Sequence, residues 1–395
     1  MKEKILIYGG TFNPIHKGHT HILKHFIDAI NPDKVLLIPT GDPPHKTSPD
    51  LASANDRINM CKLALEEENI NGEVSNIETS SKEKSYTFST LLKLREKYPY
   101  GEFYLCMGED MFTTLYKWYK PEIILKEAII VGAKRSFDAE ARLNEAMENL
   151  KKDYPFFKGF IVDIPYFDAS STEVRIGTFD YKREKLSEKV FEYIYKNSLY
   201  KPNFKSNIPD SEECKNLIKP FLKEKRYSHS LCVAKKAKEL SIKYGENIEK
   251  AEIAALLHDI MKDTSLETQL KILKYSAIML SATEKNSPAV MHQFSGAAIL
   301  KDYFKIADEE IINAVRNHTT GREAMTKLEK IIFIADAISE DRNYPTLNKI
   351  KEASEISLEE AIFVNTQSII NDFSSKGLAI VESTVYTYNY YLNHK

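Results

Sequence analysis

Tryptophan is almost missing from this 395-residue chain, with Trp118 the single copy, and cysteine is scarce at four residues. Cys61, Cys106, Cys214 and Cys232 are scattered, and none belongs to a Cys-x-x-Cys pair. That spacing argues against thiolate metal knuckles and a disulfide framework, leaving reduced thiols as the default. Net charge is missing too, since 55 basic and 57 acidic residues leave a balance of −2. Without a basic field, wholesale capture of nucleic acid is excluded, and any phosphate binding has to be local. No apolar run approaches membrane-spanning length, and Met1–Ile7 lead straight into a strand-like segment without an apolar signal core. A cytoplasmic protein with no membrane or nucleic-acid partner is expected. Internal repeats and low-complexity tracts are also lacking.

Histidine is absent from residues 46 to 228, and that gap divides what is present. Five of the ten histidines lie between His16 and His45, four between His229 and His318, and His394 stands apart. Imidazole is the side chain suited to handling protons, phosphates and metals near neutral pH. Two clusters therefore suggest two sites, and 395 residues are too many for one comfortable core.

Periodicity separates the two halves. Short apolar runs at Ile5–Tyr8, Val35–Ile38, Phe103–Met107, Ala128–Val131 and Phe160–Ile164 predict strands. Between them, helical stripes are predicted at His19–Ile30, Ala54–Glu67, Thr87–Lys97 and Glu140–Lys151. Strands alternating with helices imply a parallel sheet with flanking helices, an α/β Rossmann-like domain. From about Ser211 the pattern turns helical, with stripes at Leu231–Tyr244, Ile248–Met261, Glu309–His318, Thr326–Ile338 and Leu358–Phe373. An all-α helical bundle is expected there. Tyr200–Pro209 holds two prolines and no periodicity, so the reading is a domain over 1–200, a linker at 201–210 and a second domain over 211–395.

In the first cluster, Gly9-Gly10-Thr11-Phe12-Asn13-Pro14-Ile15-His16-Lys17-Gly18-His19 follows a strand and opens a helix. Glycines permit close backbone approach to a ligand, and a helix start presents unpaired N–H groups. His16 and His19 can face one anion, while Gly18 removes a side chain that would block it. Asp168-Ala169-Ser170-Ser171-Thr172-Glu173-Val174-Arg175 offers a second anion cradle, with Arg175 as a bidentate phosphate clamp. By itself that run reads equally as an ordinary helix cap. A proline-stiffened loop, Pro39 to Lys46, ends in His45 and Lys46, two further phosphate-contacting candidates. His21 and His25 are read as ordinary helix residues.

These motifs, with Ser85-Tyr86-Thr87 before a helix, Gly108-Glu109-Asp110 after a strand, and Trp118, stand in one order. In that order residues 1–200 resemble the nucleotidylyltransferase superfamily, and within it the bacterial nicotinate-nucleotide adenylyltransferases. The resemblance implies AMP transfer from ATP to nicotinate mononucleotide, with Mg²⁺, direct attack on the α-phosphate and loss of pyrophosphate. It assigns Gly9, Gly10, Thr11, Phe12, His16, Gly18, His19, Gly108, Asp110, Ser170, Ser171, Thr172 and Arg175 to ATP, with His16 and His19 catalytic. His45, Lys46, Tyr86, Thr87 and Trp118 fall to nicotinate mononucleotide, Trp118 stacking on the pyridine ring. Ala169 and Gly177 stand where relatives carry larger residues. The alternative acceptor is phosphopantetheine, since His-x-Gly-His is shared with those enzymes.

In the second cluster, His229, His258-Asp259, His292, His318 and Asp336 each lie on or beside a predicted helix. Inward side chains of a bundle can meet at one centre. Four imidazoles and two carboxylates could hold two divalent ions, and mixed N/O ligation suits iron, manganese or a similar first-row metal. His258-Asp259 follows the apolar run Ile253–Leu257, and a buried carboxylate beside imidazoles is costly unless a metal compensates it.

Residues 211–395 resemble the HD phosphohydrolase superfamily. Arg226–Ser230, His258–Asp263, His318–Arg322 and Leu328–Asp336 match the branch that splits diadenosine tetraphosphate symmetrically into two ADP at a dinuclear, iron-type centre. The resemblance places one ion on His229, His258, Asp259 and Asp336 and the other on Asp259, His292 and His318. Asp263 becomes a catalytic candidate, and Lys262 and Arg322 become phosphate contacts. Ser339-Glu340-Asp341-Arg342 keeps only the arginine of the branch's Glu-Pro-Gly-Arg. Alternatives are hydrolysis of other nucleotides or a non-catalytic nucleotide-sensing module. A homo-oligomer is compatible with either half.

Overall fold

The computed structural model describes residues 2–41, 51–80, 85–135 and 139–394. It divides into two compact units, one of residues 1–177 with 181–194, the other of 178–180 with 195–395.

The first unit is built on six strands: β1 (Lys4–Gly10), β2 (Lys34–Pro39), β3 (Glu73–Val74), β4 (Glu102–Gly108), β5 (Ala128–Lys134) and β6 (Gly159–Asp163). All pairings are parallel, in the order β3-β2-β1-β4-β5-β6. β3 was not expected, because two residues are too few to carry an alternation. Helices flank the sheet: α1 (Lys17–Ile30), α2 (Ala54–Glu67), α3 (Thr87–Lys97), α4 (Glu109–Thr113), α5 (Pro121–Glu127), α6 (Ala139–Asp153) and α7 (Ser171–Ile176). Ile22, Leu23, Phe26 and Ile30 give α1 its buried stripe. Ile5, Leu6, Leu37 and Ile130 in the strands are fully buried. The chain order reverses between β1 and β4, and at such a switch point the loops leaving the two carboxyl ends diverge and open a crevice. Two short helices, α8 (Phe179–Lys185) and α9 (Glu188–Lys196), follow.

The second unit is helical: α10 (Ser211–Ile218), α11 (Glu224–Tyr244), α12 (Ile248–Leu257), α13 (Leu266–Tyr275), α14 (Ala282–Lys285), α15 (Met291–Ala298), α16 (Glu309–Asn317), α17 (Lys327–Ile338), α18 (Leu347–Ile356), α19 (Leu358–Ser375) and α20 (Glu382–Leu392). Capping boxes set several starts, as at Asp210 with Glu213 and at Thr326 with Glu329. α12 is the central element, with Ile253 through Leu257 all buried. It stops at Leu257, short of the expected Met261, and His258 and Asp259 sit in the turn that follows. Tyr200–Pro209 contains no helix or strand. All four cysteines are free, and no helix among the described residues is long and apolar enough to cross a membrane.

Two candidate active sites

A cleft of about 730 Å³ opens at the switch point of the first unit. Its walls come from the loops after β1, β4, β5 and β6, and Gly9, Gly10, Thr11, Phe12, His16, Gly18 and His19 line it. Gly108, Asp110, Ser170, Ser171, Thr172 and Arg175 complete the ATP set named from the sequence, and all reach the same cleft.

The two catalytic candidates are coupled at the start of α1. The His16 backbone N–H donates to His19 Nδ1 at 3.2 Å, and the rings lie 3.8 Å apart between centroids. Because His19 Nδ1 accepts, the proton of a neutral ring resides on Nε2, which becomes a donor. Burial, reinforced by the Arg135 charge, lowers His16 to about 4. Burial also holds His19 well below the ordinary imidazole value, with His16 and Arg135 adding to the effect. His16 Nδ1 is buried without a hydrogen-bond partner. A Cβ on Gly18 would sit 3.0 Å from that Nδ1, and one on Gly10 would sit 2.9 Å from the Phe12 ring. Both glycines are thus required by side chains inside the loop as well as by access.

The serine-rich run serves partly as scaffold. Ser170 is the N-cap of α7, accepting from the Glu173 N–H. Ser171 donates to the Pro14 carbonyl, and Arg175 donates to the Asn13 carbonyl at 2.8 Å and to Thr172 Oγ1. Those bonds tie the loop after β6 to the loop after β1. Arg57, almost wholly buried, donates to the carbonyls of Thr11 and Thr40 from the other side.

Three acceptor candidates lie away from the cleft lining. Tyr86 packs its ring against Tyr119 at 5.1 Å, Thr87 opens α3, and Trp118 is partly buried against the sheet core. His45 and Lys46 lie outside the described residues. Sequence reasoning missed Arg135, which follows β5 and lines the cleft. It also passed over His21, whose Nε2 lies 2.9 Å from the Pro165 carbonyl on the cleft wall. A cation directly after a strand of a parallel sheet was the available signal for Arg135.

In the second unit, α11, the turn after α12, α15, α16 and α17 bring all six expected ligands to one centre. Asp259 is the hub: its Oδ1 lies 3.2 Å from His292 Nε2 and 3.5 Å from His318 Nε2, and its Oδ2 lies 3.5 Å from His258 Nε2. Asp336 Oδ1 is 3.0 Å from His229 Nε2 and 4.0 Å from His258 Nε2. Ligand atoms of His229, His258 and Asp336 fall within 4.8 Å of one another, as do those of His258, Asp259 and His318. The four histidines and Asp259 are buried.

Hydrogen bonds behind the rings orient the inner ring nitrogens. His258 Nδ1 lies 2.6 Å from the Ala255 carbonyl and His318 Nδ1 lies 2.7 Å from the Val315 carbonyl. Carbonyls only accept, so both Nδ1 atoms carry the proton and both Nε2 lone pairs point inward. His258 Nε2 has no hydrogen-bond partner although fully buried. Converging lone pairs and carboxylates call for positive charge, and the donor set of imidazoles and carboxylates fits divalent metal. The electrostatics agree. Burial alone would raise Asp259 and Asp336, yet their contacts with His258, His292 and His318, and with His229 and Arg342, hold both well below the usual carboxylate range. Burial takes His292 down to about 4.

Three cations surround the centre. Arg226 Nη1 contacts Asp259 Oδ2 at 2.9 Å, Arg342 Nη2 contacts Asp336 Oδ1, and Lys262 Nζ lies 3.2 Å from His292 Nε2. Lys262 was a phosphate-contact candidate, while Arg226 and Arg342 were not singled out. Two further candidates are engaged within the protein. Asp263, the catalytic candidate, accepts through Oδ2 from the Lys223 N–H at the start of α11. Arg322 is committed through Nε and Nη2 to Glu329, which is almost wholly buried and would otherwise be an uncompensated charge.

Comparison with known proteins places each half in a family. Residues 7–177 match the cytidylyltransferase-like family and residues 226–341 match the HD domain. A Mycoplasma genitalium protein named probable nicotinate-nucleotide adenylyltransferase/Ap4A hydrolase is 31% identical over 87% of this chain and 89% of its own length. The chain belongs to that two-part enzyme family. Its front half is also 35% identical to a probable nicotinate-nucleotide adenylyltransferase of Clostridium tetani, over 51% of this chain and 100% of that protein. A solved structure from Clostridium acetobutylicum, described as a predicted HD superfamily hydrolase involved in NAD metabolism, is similar over 49% of this chain and 100% of that one. Its identity is 31% and its TM-score 0.46. This family member is therefore a nucleotidyltransferase joined to an HD domain, and the HD site is one for divalent metal.

Proposed function

We propose that the front site transfers AMP from ATP, carried as its Mg²⁺ complex, to nicotinate mononucleotide. An oxygen of the mononucleotide 5′-phosphate forms a bond to the α-phosphorus as the bond to pyrophosphate breaks in line, giving deamido-NAD. His19, through Nε2–H, and His16 hold the α-phosphate where charge builds in the transition state. Arg135 adds positive charge beside them, while Ser171, Thr172 and Arg175 hold the triphosphate side of the cleft. His45, Lys46, Tyr86, Thr87 and Trp118 are assigned to the nicotinate mononucleotide, Trp118 for stacking. The observation that carries this reading is the His16–His19 pair, burial-neutralised and aimed into the switch-point cleft.

For the rear site the reading is symmetrical hydrolysis of diadenosine tetraphosphate to two ADP. His229, His258, Asp259 and Asp336 would hold one ion, and Asp259, His292 and His318 the other, iron being the favoured metal. When bound, the ions supply charge neutralisation at the scissile phosphate. Arg226, Lys262 and Arg342 are placed to bind the substrate's remaining phosphates. The assigned spans are 1–200 for the transferase, 201–210 for the connection and 211–395 for the hydrolase, in the cytoplasm.

One panel tests both readings. Purified protein is given ATP with nicotinate mononucleotide, nicotinamide mononucleotide or phosphopantetheine, and separately diadenosine tetraphosphate or mononucleotides, with metal content measured on the same sample. Deamido-NAD and ADP are the expected products. Turnover with phosphopantetheine alone would overturn the first reading, and fewer than one bound ion per chain would overturn the second.

A further inference from the structure

The four ligand histidines differ in what stands behind them. His258 and His318 lean on neutral backbone carbonyls, at 2.6 and 2.7 Å. His229 alone leans on a carboxylate: its Nδ1 lies 2.7 Å from Asp341 Oδ2. Asp341 is itself held in place, because Ser339 Oγ donates to its Oδ1 at 2.7 Å. On the inner side, Arg342 Nη2 lies 3.3 Å from His229 Nε2. Asp336 Oδ1 also lies 3.0 Å from that Nε2. A carboxylate only accepts, so the contact with Asp341 puts a proton on Nδ1, and Nε2 faces the ligand cluster. His292 is the opposite case. The Lys262 ammonium lies beside its ring, 3.3 Å from Nδ1 and 3.2 Å from Nε2, and among the described residues no acceptor stands behind Nδ1.

We propose that Asp341 is a positioning residue for metal binding, and that its bond to His229 makes the His229–His258–Asp336 end of the centre the tighter of two unequal metal positions. The inference rests on the reading of this cluster as a dinuclear centre. A carboxylate behind a ligand imidazole fixes the ring and raises its basicity, and losing such a partner costs 10- to 100-fold in metal affinity as an order of magnitude. The His292 end, with an ammonium beside the ring and no acceptor behind Nδ1, gains neither benefit. The two ions therefore load in order, the His229 end first.

The test is calorimetric titration of the chelator-stripped full-length chain with Mn²⁺, for wild type, Asp341→Asn and Asp341→Glu. Wild type is expected to show two binding steps. Asp341→Asn should weaken the tighter step by roughly 10- to 100-fold while the weaker step stays put, with partial recovery in Asp341→Glu. A tight step unchanged in Asp341→Asn would overturn the proposal, as would a loss spread equally over both steps. A second readout needs no metal: in ¹⁵N-histidine-labelled wild type, His229 Nδ1 should carry a proton, and a ring with Nδ1 bare would refute the geometry. If wild type binds no Mn²⁺ at all, the metal-centre reading itself falls and takes this proposal with it.

Discussion

Gly18 and His16 show how much of the front site depends on single atoms. A methyl group at Gly18 would come within 3.0 Å of His16 Nδ1 and 3.4 Å of Phe167, so the ring has to turn. Gly18→Ala should therefore lower kcat for deamido-NAD synthesis about 10- to 100-fold, the scale of loss when a catalytic contact is misplaced. Steady-state kinetics with the HD activity as an internal control checks this. pH offers a second handle. His16 is lowered to about 4 in the folded protein, below its ordinary value of about 6.5 when unfolded. The unfolded chain therefore takes up the proton first. The resulting stability is fully present above about pH 6.5 and is lost as the pH falls through about 4. Thermal unfolding of the front unit should drop steeply across that window, by an amount on the order of 3 kcal/mol for this one group. His16→Gln should flatten the slope, and an equally steep curve would show that other groups dominate.

At the scale of elements, helix ends carry the second site. α16 delivers His318 at its C-terminus, and α17 delivers Asp336 in its last turn. Glu329 in the first turn of α17 holds the two helices in relation. It accepts from Asn317 of α16, from Arg322 and from the Thr326 N–H. Arg322→Ala leaves that buried carboxylate short of its strongest partner. Because the arginine is partly exposed, the expected loss is a moderate one of about 1–3 kcal/mol in the HD unit. Denaturant unfolding measures it, and Mn²⁺ affinity of the folded variant should remain within a few-fold of wild type. A variant that is fully stable yet fails to bind substrate would restore Arg322 to the phosphate-binding role.

Over the whole molecule, two chemistries share one chain without sharing a residue in the roles assigned here. His19→Ala is expected to reduce deamido-NAD synthesis by at least about 100-fold while leaving diadenosine tetraphosphate hydrolysis intact. Asp259→Ala is expected to do the reverse, since it removes the carboxylate common to both metal positions. Stripping divalent metal and restoring only Mg²⁺ should likewise silence the hydrolase and spare the transferase. Loss of both activities from a folded single variant would refute the independence of the sites.

Much of this was legible from the sequence, for physical reasons that are local. Periodicities of 2 and 3.6 follow from backbone geometry, so α2 and α3 begin and end at the expected residues, and the strand-loop-helix unit around His16 and His19 could be placed directly. Scarce residue types with one chemistry, the six histidines and aspartates that cluster in the HD unit above all, could be picked out by identity and helical context. What the linear chain could not reveal is which partner each side chain would find. Asp341 lies 112 positions from the histidine it supports. Arg135 becomes part of the His16–His19 cleft only because β5 lies next to β4, and β4 next to β1. The sequence offered Asp263 as a catalytic candidate and Arg322 as a phosphate contact, and it could not show that one meets a helix start and the other a buried glutamate. Residue type and local pattern determined the elements and the chemistry on offer. Packing decided which charges are satisfied inside the protein and which are left to meet a ligand, because the cost of an unpaired buried charge is settled only in three dimensions.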